Sequence, residues 1–153
     1  PMSPVRGLAR IMRDVDAFKR VIDMADSPHN GITFCQGNFA AMPGVVIPDA
    51  IRYFGRRNKI FFAHFRDIRG SVPVFEETFH DEGKTDMVAA MQAYHDVGFG
   101  GPMRPDHAPT MEGESNENPG YMVRGQIFAV GYMQGLLATI RARAAAGAPT
   151  TKS

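Results

Sequence analysis

Tryptophan is absent from this 153-residue chain, cysteine occurs once, and neither sign of charge forms a long run. The lone Cys35 excludes an internal disulfide and fits a reducing, cytoplasmic setting. A formal net charge of +1 supplies no field that would draw a polyanion or a lipid surface. The arginines are scattered, with no basic–aromatic stripe, so nucleic acid is not expected as a partner. The apolar stretch Ile127 to Ile140 falls short of the ~20 residues that a membrane span needs. Gly131 and Gly135 within it point instead to close helix packing. The segment from Pro1 to Asn30 is charged and broken by proline, so no secretory leader is read there.

What remains is ordinary globular material. Hydrophobic residues make up 44% and charged residues 22%, enough apolar surface for one domain with a real core. Apolar residues of helical period run from Asp14 to Ala25, with Asp14 as cap. Ile32 to Gly37 reads as a short strand, and Pro48 to Arg57 as a helix with proline in its first turn. Ile60 to Phe65 is the clearest strand, continuous enough to be buried on both faces. Phe75 to His80 reads as a strand extension or a long loop. Asp86 to Val97 is a helix that Thr85 can cap and that Gly98 to Gly101 ends. Pro102 to Asp106 is strand-like, Pro109 to Pro119 a polar loop, and Tyr121 to Ala146 a final long helix. Residues 147–153 read as a disordered tail. Strands alternating with helices predict an α/β fold with a parallel sheet.

In such sheets the C-terminal strand ends carry the chemistry. Cys35, His64 and Asp106 fall at the ends of three successive predicted strands. A thiol, an imidazole and a carboxylate converging there form a set of metal-ligating types that no short sequence motif would reveal. A mixed set of this kind suits Fe²⁺, Mn²⁺ or Co²⁺. His107, next to Asp106, is free to move protons, and Tyr121 can reach over the strand ends with a phenol. Arg66 and Arg104 flank the candidate ligands, each able to hold a carboxylate or to form a structural ion pair. His80, with Glu76 or Glu77, either lines the pocket or is solvated. Each residue has an ordinary alternative: a buried cysteine is often a small hydrophobe, a strand-end histidine simply hydrogen-bonded, an aspartate after proline a turn cap, and a tyrosine a core aromatic.

The segments Gly31 to Gly37, Phe62-Ala63-His64-Phe65-Arg66, Phe79 to Met87, Pro102-Met103-Arg104-Pro105-Asp106-His107 and Asn118-Pro119-Gly120-Tyr121 resemble the mannonate dehydratases of xylose-isomerase-like barrel type. The resemblance runs from about Arg6 to Arg141. It implies the C-terminal half of a (β/α)₈ barrel over 1–146, with the N-terminal half-barrel missing. It implies Cys35, His64 and Asp106 as ligands of Mn²⁺ or Fe²⁺, with a further histidine ligand just before the point where this sequence starts. It implies His107 and Tyr121 as the acid/base pair; Arg66, Arg104 and His80 are expected as substrate-binding residues from their positions alone. The implied reaction converts the sugar acid D-mannonate to 2-keto-3-deoxy-D-gluconate in glucuronate catabolism, in a full-length homo-oligomer, with the fragment alone expected to be inactive. Two other readings stay open: a sugar isomerase on the same barrel, and a non-catalytic half-barrel that assembles with a partner chain.

Overall fold

The computed structural model describes residues 4–147, so most of the expected tail, 148–153, lies outside the described residues. The elements run α1 (Val15–Met24), β1 (Ile32–Cys35), α2 (Gln36–Ala40), α3 (Ile47–Gly55), β2 (Ile60–Phe65), β3 (Ile68–Ser71), β4 (Val74–Glu77), α4 (Met87–Asp96), β5 (Met103–Pro105) and α5 (Val123–Gly147). Two sheets form: three parallel strands in the order β1-β2-β5, and an antiparallel hairpin of β3 and β4. This is an α/β architecture of parallel strands and crossover helices. Among the described residues no helix is long and apolar enough to cross a membrane.

Local chemistry sets the element ends. The Asp14 carboxylate accepts from Ala17 N–H at 2.8 Å and opens α1. Asp86, not the expected Thr85, caps α4 by accepting from Ala89 N–H at 2.8 Å. Thr85 is used differently, its N–H being held by the Asp67 carboxylate. Gly98 closes α4 at φ +68°, a conformation glycine adopts without a Cβ penalty.

Phe34 and Phe39 stack at 4.3 Å, Phe54 meets both, and Tyr94 and Phe65 continue the cluster beneath the sheet. Each of these buried rings contributes about 1.5–3 kcal/mol on leaving water. The helices α3 and α4 therefore lie against the strands because their apolar faces share this cluster.

Four further expectations change. β1 stops at Cys35 because the chain turns directly into α2 at Gln36. Phe75 to His80 is neither extension nor plain loop: β4 returns along β3 as a hairpin, pairing Ile68 with Glu77 and Arg69 with Glu76. β2 is not buried on both faces, since Phe61 is 42% exposed and its ring lies over Gly31, where a Cβ would come within 2.6 Å. Gly131 and Gly135 do not mark close packing, because a Cβ at either would meet nothing within 4 Å. The tight approach is at Gly125, where a Cβ would stand 2.8 Å from the Pro109 carbonyl.

Candidate active site

The parallel register brings the functional side chains to one end of the sheet. Cys35 pairs with His64, and His64 with Arg104, so three residues distant in sequence form one row across β1, β2 and β5. Asp106 follows β5 directly. Ligand atoms of Cys35, His64 and Asp106 all lie within 4.8 Å of one another. Donors around one ion with bonds of about 2.0–2.3 Å stand roughly 3–4 Å apart, so the set would need to close by only about 1 Å.

Asp106 is 5% exposed and divides its two oxygens. Oδ2 lies 3.6 Å from both Cys35 Sγ and His64 Nδ1. Oδ1 accepts from Arg104 Nη2 at 2.9 Å and lies 3.3 Å from Tyr121 Oη. One oxygen thus faces the donor cluster while the other is held in place, the arrangement that orients a carboxylate ligand. Burial pushes the Cys35 thiol up, against the opposing pull of the Asn38 backbone and Arg66. Burial also lowers His64, more than the Asp106 charge raises it, so its imidazole is neutral near pH 7, the form that ligates.

His107 continues the site. Its Nε2 lies 2.8 Å from Tyr121 Oη and its Nδ1 lies 3.1 Å from Glu77 Oε1. The two rings meet edge to face at 4.9 Å. Tyr121 precedes α5 rather than starting it, on a segment clamped to β5. The Gln126 side-chain amide donates to the carbonyls of Asp106 at 2.8 Å and Gly120 at 3.0 Å, and Ala108 N–H donates to Gly120 at 3.0 Å. Gly120 sits at φ +87° with the His107 ring 3.3 Å from where a Cβ would stand, so both backbone and space call for glycine.

The remaining expected residues separate. Arg104 is partly exposed, with its guanidinium 6.0 Å from the centre of the Tyr121 ring, and can still reach an incoming anion. Arg66 is not free for a substrate: it is buried, bonded through Nε and Nη2 to the Glu77 carboxylate, and its Nη1 stands 3.8 Å from Cys35 Sγ and 3.7 Å from Asp106 Oδ2. His80 does not line a pocket. It is 0% exposed, lies parallel to Phe65 at 6.3 Å, and among the described residues no well-formed hydrogen bond reaches either ring nitrogen.

Glu77 is the residue that sequence reasoning left undecided. Burial alone would raise its carboxyl, but the hydrogen bond and charge of Arg66, with those of His107, hold it below the usual range. The signal that separates it from Glu76 is the hairpin register: Glu76 pairs with exposed Arg69, whereas Glu77 opposes buried Ile68.

Known proteins resemble this chain in sequence and in fold. The sequence matches the family described as D-mannonate dehydratase (UxuA) over residues 1–146. Mannonate dehydratase 2 of Halalkalibacterium halodurans is 38% identical over 139 residues, covering 89% of this chain and 40% of that protein. The crystal structure of mannonate dehydratase from Streptococcus suis serotype2 superposes with a TM-score of 0.87 at 32% identity, over 94% of this chain and 42% of that one. An L-ribulose 3-epimerase structure shares the fold at TM-score 0.66 and 15% identity, over 98% of this chain and 50% of that one. The chain therefore spans about 40% of the length of the curated relatives it matches.

Proposed function

This chain belongs to the D-mannonate dehydratase family, and from that premise we propose that it carries the metal-binding and proton-transfer residues of a dehydratase. The reaction is removal of water from D-mannonate to give 2-keto-3-deoxy-D-gluconate, a step of glucuronate catabolism in the cytoplasm. The observation that carries the reading is an imidazole–phenol pair 2.8 Å apart, abutting a thiol, imidazole and carboxylate that converge within 4.8 Å.

Cys35, His64 and Asp106 would hold a divalent ion, Mn²⁺ or Fe²⁺. That ion supplies Lewis acidity that makes the C2 proton, next to a carboxylate, removable. The chain spans about 40% of the length of its relatives, so these residues by themselves are expected to turn over slowly or not at all. His107 and Tyr121 share the two proton transfers: one takes the C2 proton, the other protonates the departing C3 hydroxyl. Arg104 offers its exposed guanidinium to the substrate carboxylate. Arg66 instead orients Cys35 and Asp106 from behind.

The test supplies D-mannonate and Mn²⁺ to the chain and to its His107→Asn and Tyr121→Phe variants, with bound metal measured in parallel. Formation of a 2-keto-3-deoxy acid by the parent, lost in both variants while metal stays bound, is expected wherever turnover is measurable. An aldose–ketose pair as product would replace the reading with an isomerase. Failure of the chain to retain Mn²⁺ or D-mannonate at all would favour a half-barrel that only assembles.

A further inference from the structure

We infer that Glu77 is a positioning residue that fixes the tautomer of His107, leaving Nε2 as the ring's proton acceptor facing Tyr121. Its purpose rests on the dehydratase reading above; the tautomer itself rests on geometry.

An ionised carboxylate can only accept, so the 3.1 Å contact between Glu77 Oε1 and His107 Nδ1 requires the proton on Nδ1. In the neutral ring Nε2 then carries a lone pair. Its partner at 2.8 Å is the Tyr121 hydroxyl, whose single proton goes to this nearer acceptor in place of Asp106 Oδ1 at 3.3 Å. This tautomer suits His107 to take a proton and leaves Tyr121 with one to give.

Glu77 is itself held. Arg66 engages both carboxylate oxygens, so the group cannot rotate away from His107 without breaking an ion pair that is largely enclosed. The register of β3 and β4 supplies the aim, turning Glu77 toward the strand ends while Glu76 pairs with Arg69 in solvent. Arg66 also stands 3.8 Å from Cys35 Sγ. One guanidinium thus spans the donor cluster on one side and, through Glu77, the imidazole on the other.

The experiment is long-range ¹H–¹⁵N correlation on the full chain labelled at histidine, about two pH units above the ordinary imidazole value of ~6.5. The His107 signals are identified by their loss in His107→Asn. The parent is expected to show a protonated Nδ1 and a bare Nε2. In Glu77→Gln, whose amide can donate to Nδ1, that pattern is expected to reverse or to average. Any parent pattern other than protonated Nδ1 overturns the inference, even if the variant does not fold, and so does an unchanged pattern in a folded Glu77→Gln. Where turnover is measurable, kcat of Glu77→Gln is expected to fall roughly 10–100-fold at constant bound metal. Absence of turnover in the parent would count against the proposed reaction alone, because the tautomer is read without it.

Discussion

The sulfur of Cys35 and Oδ2 of Asp106 lie 3.6 Å apart although 71 residues separate them. The strand that carries His64 runs between β1, which ends at Cys35, and β5, which Asp106 directly follows. Parallel pairing is what makes this possible: strands that all point the same way collect their last residues on one rim. The convergence of the three candidate ligands follows from topology and not from nearness in sequence.

If these three side chains ligate the ion, Cys35→Ser and Asp106→Asn will fail to retain Mn²⁺ after dialysis, whereas His107→Asn will retain it. Elemental analysis of the dialysed proteins decides the matter. Full occupancy in Cys35→Ser would remove the thiol from the ligand set.

Gly37 leaves room for the Arg66 stem, since a Cβ there would stand 2.6 Å from Cδ and 2.7 Å from Nε. Arg66 cannot simply swing aside, because Glu77 grips its far end. Gly37→Ala is therefore expected to cost about 1–3 kcal/mol of stability and to weaken Mn²⁺ binding roughly tenfold. Thermal melts and calorimetric titration test the two effects, and a variant equal to the parent in both would show that Arg66 orients nothing.

His80 is buried and its imidazole is held below the ordinary value of 6.5, first by burial, while the Phe65 backbone and nearby acids pull the other way. The sign follows. Below about pH 6.5 the unfolded chain takes up a proton that the native state refuses, so stability present above that pH is lost as pH falls. The melting temperature of the parent should decline from pH 7 to 5, and His80→Phe should flatten the decline while keeping the ring against Phe65. Parallel curves for the two proteins would assign the decline to other groups, His64 among them.

Much of this molecule was legible beforehand, for definite reasons. Ile60 to Phe65 and the helix from Met87 announce themselves by long apolar runs, and strand–helix alternation leaves little choice but a parallel sheet. Placing Cys35, His64 and Asp106 together needed only the rule that strand ends converge. The β3–β4 hairpin was not legible: its strands are short, largely exposed and carry a glycine and charged residues, so no period stands out. Everything that depends on that hairpin was lost with it, including the commitment of Arg66 to Glu77 and the contact of Glu77 with His107. The burial of His80 was equally hidden, because a core histidine with no well-formed hydrogen bond among the described residues breaks the pattern that composition leads one to expect.

The loop between His107 and Tyr121 is stitched at its neck by Gln126 and by the Ala108–Gly120 hydrogen bond, and Glu114 ties it to the start of α5 through the N–H of Arg124. Its two ends therefore behave as neighbours whatever lies between them. A protease cut among residues 109–119 should yield two pieces that migrate as one under native conditions and separate only in denaturant. Lengthening the same stretch adds only about 0.6 kcal/mol of closure entropy per doubling. The molecule thus holds a stretch of chain that can drift in length and composition over evolutionary time while the imidazole and phenol at its base keep their spacing.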